Sequence, residues 1–133
     1  MTEDEVVQYL RFMCAVIVQR GEGAWVEPTI PEPVIGRRVY QCATLDAGHI
    51  SVGSAGLELD ALGGRVQFPY SELTVRPPTL KEMLAVTMGK PGVLRLVSDG
   101  KDYRAEVPSQ VFGVLLNALY KVAAIAPSGP LGS

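Results

Sequence analysis

The sequence predicts an α+β domain: an N-terminal helix, then an antiparallel meander of about seven strands forming two packed sheets or a partly open barrel, then a closing C-terminal helix. Three observations predict it. Asp99-Gly100 is a strong hairpin signal, because both residues tolerate the positive φ of a type I′ turn, and the register it sets puts Leu96 opposite Tyr103 and Leu94 opposite Ala105. Upstream, Ala47-Gly48, Ser54-Ala55 and Gly63-Gly64 are successive turn candidates, each giving apolar-on-apolar pairing. After Pro108, the residues Val111, Phe112, Leu115, Leu119, Val122 and Ala123 recur at helical spacing, with Ser109 as the expected N-cap.

Taking the elements in order, Thr2-Glu3-Asp4-Glu5 fits a capping box, so a helix starts at Glu3. Arg20 suits its C-terminal end and Gly21 the left-handed C′ position. Val6, Leu10, Met13, Cys14 and Ile17 make one apolar stripe, yet Val7, Phe12, Val16 and Val18 grease the rest of the surface. A helix of that kind is buried on two sides or covered by another chain. The expectation is that residues 1–20 supply an interface, through Phe12 and Val16, and can be removed without unfolding the sheet.

Residues 21–38 carry Gly21, Gly23, Pro28, Pro31, Pro33 and Gly36, and read as a stiff extended connector without regular structure. Trp25 lies in it, either pinning the connector to the domain or presented to a partner.

The β domain spans 39–126. The first turn is expected to pair Leu45 with Ile50 and Ala43 with Val52, and the second to pair Val52 with Leu57 and Ile50 with Leu59. The third is expected to pair Leu59 with Phe68, Ala61 with Val66 and Leu57 with Tyr70. The opposite face then carries Tyr40, Thr44, His49, Ser51, Glu58, Asp60, Arg65 and Gln67 and reads as wet, with Cys42 on it. Pro69 cannot donate to a ladder, which implies an edge, bulge or bend.

Thr79 to Met88 is ambiguous between a capped helix and a strand, and the reading adopted is a strand from about Met83 into the Gly89-Lys90-Pro91-Gly92 turn. In the last hairpin Arg95 faces Arg104, with Asp102 and Glu106 placed diagonally to neutralise the pair. A pair of facing guanidinium groups also suits a partner's carboxylate or phosphate. Residues 127–133 form a tail, in which Gly129-Pro130-Leu131-Gly132-Ser133 reads as a cloning scar.

Composition narrows the function. A chain of 133 residues, 47% hydrophobic and 20% charged, is one domain with enough core to fold without staples. A net charge of −2 without a Lys/Arg cluster argues against nucleic acid. The longest apolar run, Phe12 to Val18, is too short for a membrane span, and the residues before it are acidic rather than basic as a cleaved signal would need, so a cytoplasmic location is expected, with Cys14 and Cys42 as free thiols. His49 is the only histidine, and neither Cys nor His carries metal-ligand or nucleophile spacing. Glu58 and Asp60 share a face but read as solvated charges, and Arg37-Arg38 as a solvated pair. No catalytic residue, metal or cofactor is assigned.

Four strands, then three, then one helix resembles the pleckstrin-homology-like superfold. Phe68-Pro69-Tyr70-Ser71-Glu72-Leu73 followed by Val75 is similar to a segment of bacterial PH-like and GRAM-type domains. The resemblance covers roughly 39–123 and implies an interaction scaffold. Asp46-Ala47-Gly48 lacks the basic residues of a phosphoinositide clamp, and Phe112 stands without the tryptophan of eukaryotic members.

The expected function is a non-enzymatic adaptor or scaffold domain that binds another protein, with self-association through the first helix as one mode. Its candidate contact residues are Arg95, Arg104, Trp25, Phe12 and Val16. The alternative is a small acidic escort, a secretion chaperone or immunity protein. If Thr79 to Met88 is helical, the element order resembles type III secretion chaperones.

Overall fold

The computed structural model describes residues 2–27, 30–61 and 64–125. Pro28, Gly63 and the tail 127–133 therefore lie outside the described residues. The order is α1 (Glu3–Gln19), β1 (Ala24–Trp25), β2 (Arg38–Ala43), β3 (His49–Gly53), β4 (Gly56–Ala61), β5 (Gly64–Pro69), a 3-10 turn (Tyr70–Glu72), β6 (Thr74–Arg76), α2 (Leu80–Thr87), β7 (Gly92–Ser98), β8 (Lys101–Val107) and α3 (Ser109–Ile125). Strands β1 to β5 form one antiparallel sheet in sequence order and β6 to β8 a second. The fold is α+β, and among the described residues there are eight strands in two sheets and no closed barrel.

Helix α1 begins as its sequence demands. The Glu5 amide donates to the Thr2 hydroxyl and the Thr2 amide to the Glu5 carboxylate. It ends in a Schellman motif: Gly21 at φ 82° donates to the Val18 carbonyl and Glu22 to that of Ile17. Val6, Leu10, Cys14 and Ile17 are fully buried, and the helix packs on α3 and β2. Its stripe is core, which argues against a helix that can be removed without unfolding the sheet, while Phe12 and Val16 stay exposed on its outer side.

The last hairpin follows the expected register throughout, with Asp99 at φ 53° and Gly100 at φ 73°. The second turn does too, pairing Val52 with Leu57 and Ile50 with Leu59. Two registers are corrected. The first turn is a five-residue loop, Thr44 to Gly48, closed by the Thr44 amide on the Gly48 carbonyl and by the Gly48 amide on the Thr44 hydroxyl. Ala47 takes a positive φ there. Cys42 consequently pairs with Ile50 and Tyr40 with Val52, so both side chains turn into the core and Leu45 is left half exposed. The third register shifts by two, pairing Leu57 with Phe68 and Leu59 with Val66, which keeps the faces. Pro69 ends β5, an edge strand.

The connector is not featureless. Trp25 pairs with Tyr40 as β1 adds a fifth strand to the first sheet, and Glu32 bridges Gly36. The segment at Val34–Ile35 lies on the β3–β4 turn, where the Ala55 amide donates to the Ile35 carbonyl. A side chain at Gly53 would strike that same carbonyl oxygen, so glycine is needed for the close approach.

Residues 80–87 are helical, which corrects the strand reading. Thr79 and Glu82 form a full capping box. Gly89 at φ 86° closes a second Schellman motif, donating to Val86 while Lys90 donates to Ala85. In α3 the Pro108 carbonyl takes the first helical bonds, so the cap falls one residue before Ser109.

Candidate interaction surface

Helix α2 carries the most unusual surface of the molecule. At 100° per residue, Leu80, Met83, Leu84, Thr87 and Met88 fall on one arc, while Glu82, Ala85 and Val86 lie on the other side. Those three are half-buried against the domain, and the apolar arc points outward: Leu80 is 76% exposed, Met83 50%, Leu84 56% and Met88 75%. None of the eight residues of α2 is fully buried. The amphipathic face is thus turned away from the core.

Beside this helix the outer face of the second sheet carries a lateral row of three arginines. Arg76 pairs with Arg95 across β6–β7, and Arg95 with Arg104 across β7–β8. The diagonal neutralisation expected for Arg95 and Arg104 is not what forms. Arg95 Nη2 stands 3.2 Å from Glu82 Oε2, a carboxylate supplied by α2, and Asp102 lies 3.8 Å from Arg76. Arg104 is exposed and makes no ion pair among the described residues. A cleft of about 410 Å³ opens along the row, walled by Arg76, Pro77, Thr79, Arg95, Asp102, Tyr103 and Arg104. Thr79 is also the N-cap of α2, so the cleft begins where the apolar stripe begins.

The other candidates are scattered. Phe12 is 78% exposed and Val16 39%, one turn apart on the outside of α1. Trp25 is half-buried, edge-on to Tyr40 at 6.2 Å between ring centroids, with the Arg11 guanidinium 5.8 Å from its ring centre. The protein itself holds Trp25 on both sides. The structure brings Arg95 and Arg104 together and leaves the other three apart from them.

The outer face of the first sheet is wet only in part: the Arg65 side chain is 62% exposed, whereas Glu58 sits in a shielded cluster. Arg38 donates to both carboxylate oxygens of Glu58, at 2.8 and 2.9 Å, and also to Glu32 at 2.6 and 3.1 Å. Gln67 adds a 2.9 Å bond to Glu58, and His49 Nε2 stands 3.7 Å from it. Glu58 is 1% exposed and Ser51 is fully buried. The Arg38 hydrogen bonds, opposed by burial, hold the Glu58 carboxyl down at about 2, and the same bonds raise the Arg38 guanidinium. Arg37 is likewise paired, with Glu3 at 2.8 Å and Asp4 at 2.5 Å, which ties the connector to α1. The reading of Arg37-Arg38 as a solvated pair is corrected for Arg38, which is shielded, while the ion pairs of Arg37 are exposed. Within this cluster Arg38, Glu58 and Glu32 spend their charges on each other, while the buried Ser51 hydroxyl, beside Glu58, has no hydrogen-bond partner among the described residues.

Cys42 is buried rather than on a polar face, and burial pushes its thiol up to about 11; Cys14, on the buried face of α1, is pushed to about 12. Both are free thiols, and neither is an activated nucleophile. Among the described residues no three His, Cys, Asp or Glu side chains converge as metal ligands, and no helix is long and apolar enough to cross a membrane. Comparison with models of known protein families, with curated proteins and with solved structures finds no match to this chain.

Proposed function

We propose that the protein is a non-enzymatic protein-interaction domain, an adaptor or scaffold that binds its partner through helix α2. The observation that carries this is the outward stripe Leu80, Met83, Leu84 and Met88 on a helix whose two ends are both locked by caps. A helix fixed in place with its apolar face in water is a surface held ready for another chain. The PH-like scaffold is part of the proposal, supported by the four-strand meander β2–β5, the three-stranded second sheet and the closing helix; α2, inserted between β6 and β7, is where the adaptor function is placed.

A second reading, a small escort such as a secretion chaperone, is favoured by one observation. With α2 helical, the order helix, strands, helix, two strands, helix is the one that this alternative requires. In both readings the contact is with protein.

Affinity purification of tagged chain from its native cell tests the assignment. A specific co-purifying protein is expected with wild type and with Phe12→Glu, and lost with Leu84→Glu, while thermal melting shows all three folded. Loss with Phe12→Glu and retention with Leu84→Glu would move the interface to α1 and contradict the proposal.

A further inference from the structure

We infer that the partner segment is an acidic amphipathic helix, its apolar face laid along α2 and its acidic end seated in the arginine row of Arg76, Arg95 and Arg104; this rests on the α2 docking face proposed above. The stripe from Leu80 to Met88 is about 12 Å long, the length of two turns of a partner helix. It begins beside the arginine cleft, since Thr79 caps the helix and walls the cleft together. A helix lying on the stripe and running past Leu80 therefore carries its next turn over the guanidinium groups.

The charges around this surface select for acid. Cations are supplied by Arg76, Arg95 and Arg104 on the sheet and by Lys81 and Lys90 on or just after α2. The nearby carboxylates are Glu82, already bonded to its cap and to Arg95, Asp102 at Arg76, and Glu106 opposite Val93. That leaves an excess of two positive charges in a chain whose net charge is −2. Planar guanidinium groups in a row match carboxylates in pairs.

The same charges disfavour two other occupants. A second copy pairing about a twofold axis runs its α2 either parallel, which sets arginine row against arginine row, or antiparallel, which sets the arginine end of one copy against Lys90 of the other. An anionic membrane meets Asp102 and Glu106 in the same plane as the arginines, and the stripe has no aromatic residue to sit at a lipid interface.

The test uses the full chain and two synthetic peptides of about 15 residues with Leu at helical spacing. One carries glutamate and the other glutamine at the remaining positions. Fluorescence anisotropy is expected to show the acidic peptide binding about tenfold more tightly at low salt, with the advantage vanishing as salt rises. The double variant Arg95→Gln, Arg104→Gln is expected to erase that difference, and Leu84→Gln to weaken both peptides. Equal affinity for the two peptides overturns the acidic partner while leaving the docking face standing. Equal affinity of wild type and Leu84→Gln overturns the docking face itself. Binding to phosphatidylserine vesicles, or a doubling of mass that Leu84→Gln abolishes, puts lipid or a second copy in place of the acidic helix and also overturns the inference.

Discussion

Arg38 grips Glu58 with both ends of its guanidinium, across a separation of twenty residues in sequence, on a sheet face where Glu58 is 1% exposed. Removing Arg38 would leave the buried Glu58 with only Arg65, at 3.8 Å, as a nearby guanidinium and would take from Glu32 its ion-pair partner. Arg38→Met is expected to cost about 3 to 5 kcal/mol in denaturant unfolding. Glu58→Gln is expected to cost less, because Glu32 still neutralises Arg38.

The same pair sets an acid limit. The Glu58 carboxyl is held at about 2, below its ordinary value of 4.5, so folding favours the ionised form. Its stabilisation is present above the unfolded value and is lost as pH falls from about 4.5 towards 2. Wild type should therefore lose stability over that window more steeply than Glu58→Gln. Parallel pH titrations of the unfolding midpoint check this, and coincident slopes would contradict it.

Burial of both thiols makes a kinetic prediction. Cys14 and Cys42 are expected to react slowly with a thiol reagent in the folded chain and together on unfolding. Rapid labelling of Cys42 in native protein would show that the β2–β3 register differs from the one described.

Helix α1 closes the core, so Leu10→Ala is expected to cost about 3 kcal/mol, and removal of residues 1–20 to unfold the domain. Chemical denaturation of the first and circular dichroism of the second measure these. A truncated chain that keeps its strand spectrum and melts cooperatively would overturn the placement of α1.

On the second sheet, Arg95 and Arg104 face each other but only Arg95 has a carboxylate partner. Arg104→Gln is expected to be neutral or to stabilise by up to about 1 kcal/mol, since it removes a like-charge pair. Arg95→Gln leaves Glu82 with its cap alone and should not stabilise. The reverse order of the two midpoints would contradict this account.

What the sequence reveals depends on how local the deciding interaction is. The Asp99-Gly100 hairpin, the ends of α1 and the α3 stripe are set by residues close in sequence, and all were legible. The turn after Ala43 was not, because Ala43 and Leu45 make as good an apolar pattern as Tyr40 and Cys42. The choice is made by the core, which takes the Tyr40 ring, and by the Thr44 hydroxyl, which closes a longer loop. Helix α2 had its signal in plain view, in Thr79, Glu82 and Gly89. The β-branched Val86 and Thr87 argue for a strand, but capping at both ends outweighs so short a propensity run. The Arg38 cluster was illegible for another reason: Glu58 alternates as an outward residue, and only the folded connector brings Glu32 over it. Of the interaction surface, Arg95 and Arg104 were found from register alone. Leu80, Met83, Leu84 and Met88 were missed, because a stripe cannot be read from a segment taken as a strand.

The measurement that bears most directly on the function is site-specific photo-crosslinking in the native cell, with the reactive residue placed at Leu84 and, as comparison, at Phe12 and Lys101. A single adduct of defined mass from position 84, and none from the other two, is the expected result. Adducts from Phe12 but not from Leu84 would contradict the assignment of α2 as the docking face.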